Sequence, residues 1–119
     1  TVPTAILRQP ASTNAQIAGQ IRDLGRVGGN TDGMVTDVKG NLYITDVTRN
    51  GIVRYDPETH SMSLIAASEE VRWPDTLAIR PNGDLVFTSS RLNDHFAGTV
   101  KPGEERYDLW RLRLDALQK

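Results

Sequence analysis

The chain has 119 residues, 14 Lys plus Arg against 15 Asp plus Glu, a net charge of −1, 38% hydrophobic and 24% charged residues. That is the size and make-up of one globular domain, and the balanced charge, with no basic stripe interleaved with aromatics, argues against a nucleic-acid partner. Cysteine is absent, which removes disulfides, thiolate nucleophiles and Cys-held zinc, and no apolar run approaches the roughly 18 residues that would cross a bilayer.

Residues 2–8 are predicted as a strand, with Pro3 favouring an edge position. Pro10 ends it. Thr13 with Gln16 three residues later reads as a capping box, and Ile17, Ile21 and Leu24 then follow a helical period up to Gly25, a reasonable C-cap. These lead-in residues, 1–31, precede four predicted strands at 33–38, 41–47, 51–56 and 61–67. Lys39-Gly40-Asn41 joins the first two of these strands. Asn50-Gly51, a strong hairpin signal, joins the second and third, and Asp56-Pro57-Glu58-Thr59-His60 joins the third and fourth. A second group follows at 76–80 and 84–89, joined by Pro81-Asn82-Gly83. Then come a long loop from Ser90 to Glu104 and a strand at 107–114. Loops of that length without regular structure are often functional.

The two groups are copies. Asp32 to Thr45 aligns without a gap onto Asp75 to Thr88 at an offset of 43 residues. Short strands and Gly turns repeating at roughly 40–45 residues are the mark of propeller blades. A propeller has about 4–8 blades, so the chain is expected to be an all-β partial propeller: residues 32–74 one four-stranded antiparallel blade, 75–119 a second, plus one short N-terminal helix. The second blade lacks a fourth strand in the sequence, and the orphan strand at 2–8 is expected to complete that blade in a neighbouring chain.

The sequence resembles the major royal jelly and Yellow protein family. The likeness rests on Asp32-Gly33-Met34, Gly40-Asn41-Leu42-Tyr43, Asn50 with Gly51-Ile52, Trp73-Pro74-Asp75-Thr76 and Thr88-Ser89-Ser90-Arg91-Leu92. It covers residues 26–114 and implies a six-bladed ring of which this is the last third, in a secreted or periplasmic protein. The family string more often carries Asn at the place of Ser90. A more distant resemblance is to gluconolactonase and regucalcin-like propellers. It implies that Asp32, in its Asp-Gly-Met motif, is a ligand of a divalent cation such as calcium in the central channel. Such an ion takes about 6–8 oxygen ligands, and this chain offers only Asp32 with Asn30 and Asp75.

Asp32, Asp75, Thr76, Ser90 and Arg91 are the candidate ligand-binding residues, Thr76 and Ser90 by resemblance to amine-binding Yellow-like proteins. Each has a competing reading. Asp before a strand also bonds local backbone N–H groups, and Arg91 could form a structural ion pair or meet Asp75 or an anionic ligand. Trp73 is expected between the blades, and His60 exposed in a turn. His95 beside Asp94 is a weak candidate for a general base with an orienting carboxylate. No Ser-His-Asp spacing, phosphate loop or HExxH occurs.

Three functions remain: a small-ligand-binding propeller module without turnover, a metal-dependent lactonase-like hydrolase using Asp32, or a non-catalytic remnant that self-assembles. Val35, Leu42, Ile44, Leu77, Ile79, Leu85 and Phe87 are expected to need partners outside the chain. Head-to-tail association of three two-blade copies would then complete a six-bladed ring.

Overall fold

The structure, a computed structural model, describes residues 1–26 and 29–117. It opens with two short helices, α1 (Thr4–Leu7) and α2 (Asn14–Ala18). The strand expected at 2–8 is therefore a single helical turn. Pro3 takes the N-cap place, and the Arg8 N–H reaches the Thr4 carbonyl at 3.2 Å. Strand backbone must find a pairing strand to satisfy its polar groups; neither sheet takes this segment in, so a local turn satisfies them instead. The capping box at α2 is present: Thr13 Oγ1 accepts from the Gln16 N–H at 3.3 Å, and Gln16 Oε1 accepts from the Thr13 N–H at 2.8 Å. The helix stops at Gly19 rather than Gly25, leaving Ile21 and Leu24 outside it. None of its residues is buried, and an unpacked helix extends little beyond its cap.

Among the described residues seven antiparallel strands follow in two sheets. The first contains β1 (Met34–Thr36), β2 (Leu42–Asp46), β3 (Gly51–Asp56) and β4 (Ser61–Ala67), ordered as in the sequence. The second contains β5 (Pro74–Ile79), β6 (Leu85–Ser89) and β7 (Asp108–Leu112). Among the described residues it has three strands, not the four of a full blade. The loop from Ser90 to Glu104 is not structureless: it holds a helix, α3 (Leu92–Phe96). Ser90 Oγ accepts from the Leu92 N–H at 3.3 Å to start it, and Gly98, at φ 68°, lies just past its end. No helix among the described residues is long and apolar enough to cross a membrane.

The repeat is a repeat of geometry. Gly40 and Gly83 turn at φ 84° and 86°, a conformation open to glycine at no steric cost. Both hairpins close alike: the Asp37 N–H donates to the Asn41 carbonyl at 3.0 Å, and the Arg80 N–H donates to the Asp84 carbonyl at 2.9 Å. The registers agree, with Met34 opposite Ile44 and Leu77 opposite Phe87.

Side-chain alternation gives each sheet two faces. On the front of the first lie Met34, Leu42, Ile44, Val53, Tyr55, Met62 and Leu64; the first five have register equivalents on the second, Leu77, Leu85, Phe87, Trp110 and Leu112. On the back of the first lie Val35, Tyr43, Thr45, Ile52 and Arg54, matched on the second by Ala78, Val86, Thr88, Leu109 and Arg111. The core is the front of the second sheet laid on the back of the first: Tyr43 and Ile52 meet Leu77, Leu85 and Phe87, with Val71 beside them. The indole of Trp110 stacks on Phe87 at 6.5 Å between ring centroids. This corrects the expectation for the apolar residues. Leu77, Leu85 and Phe87 are buried and Val35 and Ile79 half-buried because the two sheets cover one another, while Ile44 is buried and Leu42 half-buried within the chain on the front of the first sheet, away from that junction. Burial of each such side chain contributes roughly 1.5–3 kcal/mol.

Candidate functional site

The ends of the sheets that begin at Asp32 and Asp75 lie at one side of the molecule, and the same hydroxyl device fixes both. Thr45 Oγ1 accepts from the backbone N–H groups of Asp32 and Gly33 at 3.0 and 2.9 Å, and Thr88 Oγ1 accepts from the Thr76 N–H at 3.2 Å. The two threonines are 43 residues apart. They were missed as anchors, although the repeat alignment pairs them.

Between the sheets stands Trp73. Its backbone has φ 45°, a conformation costly for a bulky residue and held only when the surroundings determine it. The Ser90 N–H clasps the segment from below, donating to the carbonyls of Arg72 and Trp73 at 3.1 and 3.3 Å. So held, the indole N–H of Trp73 donates to Asp32 Oδ2 at 2.6 Å. Phe96 of α3 meets the indole edge to face, with centroids 6.2 Å apart and planes at 80°. Phe96 is 73% exposed. Trp73 thus lies between the blades, and it also carries a polar bond across their junction.

The other candidates fall into two groups. Asp75 is half-buried beside Asp32's strand end, and its Oδ1 accepts from the Thr76 hydroxyl at 3.2 Å. Its carbonyl lies where a side chain on Gly33 would be, so glycine is required there by close approach. Among the described residues, neither Asp32 nor Asp75 pairs with a cationic side chain. Ser90 and Arg91 serve α3. Arg91 Nε reaches Asp94 Oδ2 at 2.9 Å and not Asp75, and Arg72 meets the same oxygen at 3.0 Å. Asp94 is therefore committed to two arginines and does not orient His95, whose ring lies beside Phe96. His60 is exposed and shares a hydrogen bond of 2.8 Å with the Tyr55 hydroxyl.

The metal expectation is tested by the donor set. Among the described residues no group of three His, Asp or Glu side chains converges as a cation site, and one carboxylate oxygen of Asp32 already accepts the Trp73 indole. Asn30 is engaged through its backbone, donating to Thr48 Oγ1 at 3.1 Å and accepting from the Val47 N–H at 2.9 Å. The described residues of this chain do not fit a divalent cation on their own.

Two acidic residues outside the site were not singled out from the sequence. Asp46 is fully buried, accepting from Arg49 Nε at 2.6 Å, from the Arg49 N–H at 3.0 Å and from the Gly29 N–H at 3.2 Å. Burial pushes its carboxyl up, but the Arg49 and Gly29 hydrogen bonds and the Arg49 charge outweigh this and hold it below the usual carboxylate range. Asp37 shapes the first hairpin. Burial raises its carboxyl also, and bonds from Asn41, the Lys39 N–H and the Tyr43 hydroxyl lower it overall. Their only sequence signals are short-range, an Asp three residues before an Arg and an Asp before a Gly-Asn turn.

Among curated proteins none matches the chain. Among solved structures, a gluconolactonase from Xanthomonas campestris superposes with a TM-score of 0.54 over 71% of this chain, at 21% identity. The chain spans 30% of the length of that protein. At this identity the likeness speaks for the fold alone: the two stacked sheets are blades of a β-propeller. The family model of the major royal jelly proteins matches residues 1–119, and the chain belongs to the major royal jelly protein family.

Proposed function

We propose that this chain is a small-ligand-binding sector of a β-propeller, without turnover, and that its ligand is a small organic cation carrying an apolar or aromatic body. The observation that carries this is the Asp32–Trp73–Phe96 arrangement. A carboxylate without a cationic partner among the described residues is held by an indole N–H, and an exposed aromatic ring lies against that indole. Asp75 adds a second carboxylate at the same end. A carboxylate supplies the charge for an ammonium group, and aromatic faces add about 0.5–2 kcal/mol as they desolvate it. Blades from other chains are proposed to close the ring around this end, three copies of two blades giving six.

Calorimetric titration with an aromatic primary amine such as phenethylamine tests this. Expected is saturable binding to the wild type, weakened about tenfold or more by Asp32→Asn, a loss of about 1.4 kcal/mol. Binding unchanged in that variant would remove Asp32 from the site, and no heat with any amine of a varied panel would end the reading.

The gluconolactonase likeness supports a second reading, lactone hydrolysis assisted by a divalent cation. The remaining ligands would have to come from blades outside the described residues. Lactone turnover that needs calcium and disappears in Asp32→Ala would favour it over simple binding.

A further inference from the structure

At the hairpin end of each blade, remote from Asp32 and Asp75, the repeat places a cluster of polar side chains, and the two clusters differ in charge. The first blade has Asp37, Asn41, Arg54 and Asp56. The repeat offset carries Asp37 and Asn41 onto Arg80 and Asp84. The pairing of Tyr43 with Arg54, and of Val86 with Arg111, carries Arg54 and Asp56 onto Arg111 and Arg113. The first cluster is closed. Asp37 Oδ2 accepts from Asn41 Nδ2 at 2.7 Å, Asn41 Oδ1 accepts from Arg54 Nη2 at 2.8 Å, and Arg54 Nη2 also reaches Asp56 Oδ2 at 3.4 Å. The second cluster is open. Three arginines stand where the first blade has two acids and one arginine, and Asp84, which is buried, is their shared carboxylate. Arg111 Nε is 3.9 Å from Asp84 Oδ2, beyond hydrogen-bond reach, and that oxygen already accepts from Asn82 Nδ2 at 3.0 Å. Arg113 turns to Asp115 at 2.9 Å, with the two side chains 63% and 68% exposed, and such surface pairs contribute little. The Arg80 side chain has no hydrogen-bond or ion-pair partner among the described residues. Its hairpin is held without it, because Asn82 Oδ1 accepts from the Asp84 N–H at 3.3 Å, whereas Asp37 serves the first turn by accepting from the Lys39 and Asn41 N–H groups, both at 2.9 Å. Arg80, Asp84, Arg111, Arg113 and Asp115 line one cleft of about 910 Å³, together with Lys39 of the first hairpin.

We propose that this cleft binds a phosphate dianion, free or as a terminal monoester. The charge selects a dianion. Three arginines against Asp84 leave two positive charges, and a phosphomonoester carries about −1.5 to −2 at neutral pH. Asp37, also in the cleft, is used up by its own hairpin, since the Tyr43 hydroxyl donates to it besides Lys39 and Asn41. The donors select an oxyanion, because guanidinium forks match its oxygens two at a time. Arg80 is the anchoring donor and Arg111 the second. Arg113 joins by exchanging the exposed Asp115 carboxylate for the phosphate, and Lys39 brings an ammonium from the other blade. The cleft and Asp32 are at opposite ends of the blades, so this inference does not rest on amine binding.

Titration of the isotopically labelled chain, followed by nitrogen–proton correlation spectra at low ionic strength where exposed charges are least screened, tests the proposal. The probes are inorganic phosphate, phenyl phosphate and dimethyl phosphate, which is a monoanion. Expected is saturable movement of the Arg80 and Gly83 amides and of the Arg111 Nε–H signal with the first two probes, and much weaker binding of dimethyl phosphate. Tighter binding of phenyl phosphate than of inorganic phosphate would identify a monoester as the ligand, and the reverse order free phosphate. Arg80→Ala should weaken binding about tenfold or more, the loss of one charge-assisted pair. Asp115→Asn should tighten it, because Arg113 is then released. Both positions are exposed, and the spectra themselves report whether each variant is folded. Arg111→Gln replaces Arg80→Ala should the latter unfold. No saturable shift with either dianion, equal binding of dimethyl phosphate, or binding that Arg80→Ala leaves unchanged overturns the proposal.

Discussion

The indole of Trp73 donates to the carboxylate of Asp32 at 2.6 Å, joining two blades through residues 41 positions apart in the chain. The bond lies at an exposed position, so its contribution to stability is small, whereas its effect on the orientation of Asp32 is large. Trp73→Phe retains an aromatic ring against Phe96 and deletes the donor. It is expected to lower stability by about 1 kcal/mol and to weaken amine binding more than that. Asp32→Asn retains an acceptor for the indole and deletes the charge, so stability should hold while binding falls. Urea unfolding and calorimetric titration of the two variants read the separation. Equal losses in both assays would mean that the pair is only structural.

Gly33 faces the other blade. A methyl group there would run into the Asp75 carbonyl and meet Leu77 Cδ1 at 3.2 Å. The obstacle is backbone from the neighbouring sheet, which cannot rotate away. Gly33→Ala is expected to destabilise by about 2–3 kcal/mol, in the range of overpacking a fitted junction. Gly83→Ala meets open space and suffers only from its φ of 86°, a cost of about 1 kcal/mol. Urea midpoints of the two variants compare the costs directly, and a Gly33→Ala as mild as Gly83→Ala would show that the blades separate easily.

Asp46 fastens the turn before β3 and the Gly29 backbone to the first blade. Asp46→Asn preserves shape but gives up the ion pair with Arg49 and weakens the accepted hydrogen bonds, an expected loss of about 2 kcal/mol. The pH dependence has a definite sign. The carboxyl titrates below its ordinary 3.8 when folded, so it contributes stability above that value and loses the contribution as the pH falls through its folded pKa. Unfolding free energy measured from pH 7 down to pH 3 should fall less steeply in Asp46→Asn than in the wild type.

The blades were legible because their instructions are local and repeated. Gly40 and Gly83 sit at matching turn positions, and apolar alternation places Leu42, Ile44, Leu85 and Phe87 on definite faces. The helices were less legible. At residues 4–7 the sequence reads as a strand, and only the lack of a partner strand turns it into a helical turn; periodicity cannot report a missing partner. The α3 helix rests on Ser90 and the Arg91–Asp94 pair, three-residue signals lost in a long polar loop. The site was half legible: Asp32 and Asp75 stand out as repeat equivalents. The left-handed backbone of Trp73 contradicts what a residue before proline ordinarily adopts, and it is this conformation that turns the indole toward Asp32. Arg91 pairs with Asp94 because α3, itself unforeseen, puts them one turn apart.

Tyr43 supplies a test of the core at high pH. Its ring is buried between the blades and its hydroxyl donates to Asp37 Oδ2 at 3.2 Å. Burial foremost, then the negative charge of Asp37 and their hydrogen bond, push its pKa from 10.0 up to about 12. The folded chain thus holds this proton more tightly than the unfolded one. The associated stability is complete below pH 10 and is lost as the pH rises through about 12, at most about 2.7 kcal/mol at the 1.36 kcal/mol of each pKa unit. Tyr43→Phe cannot ionise and should show no such loss beyond that of the other tyrosines and the lysines, although it begins less stable by about 1 kcal/mol for the missing hydrogen bond. Urea unfolding of both proteins at pH 8, 10 and about 11.5 measures the difference in slope. Parallel pH curves would show that the phenol already reaches water and that the junction of the two blades is wetter than its packing implies.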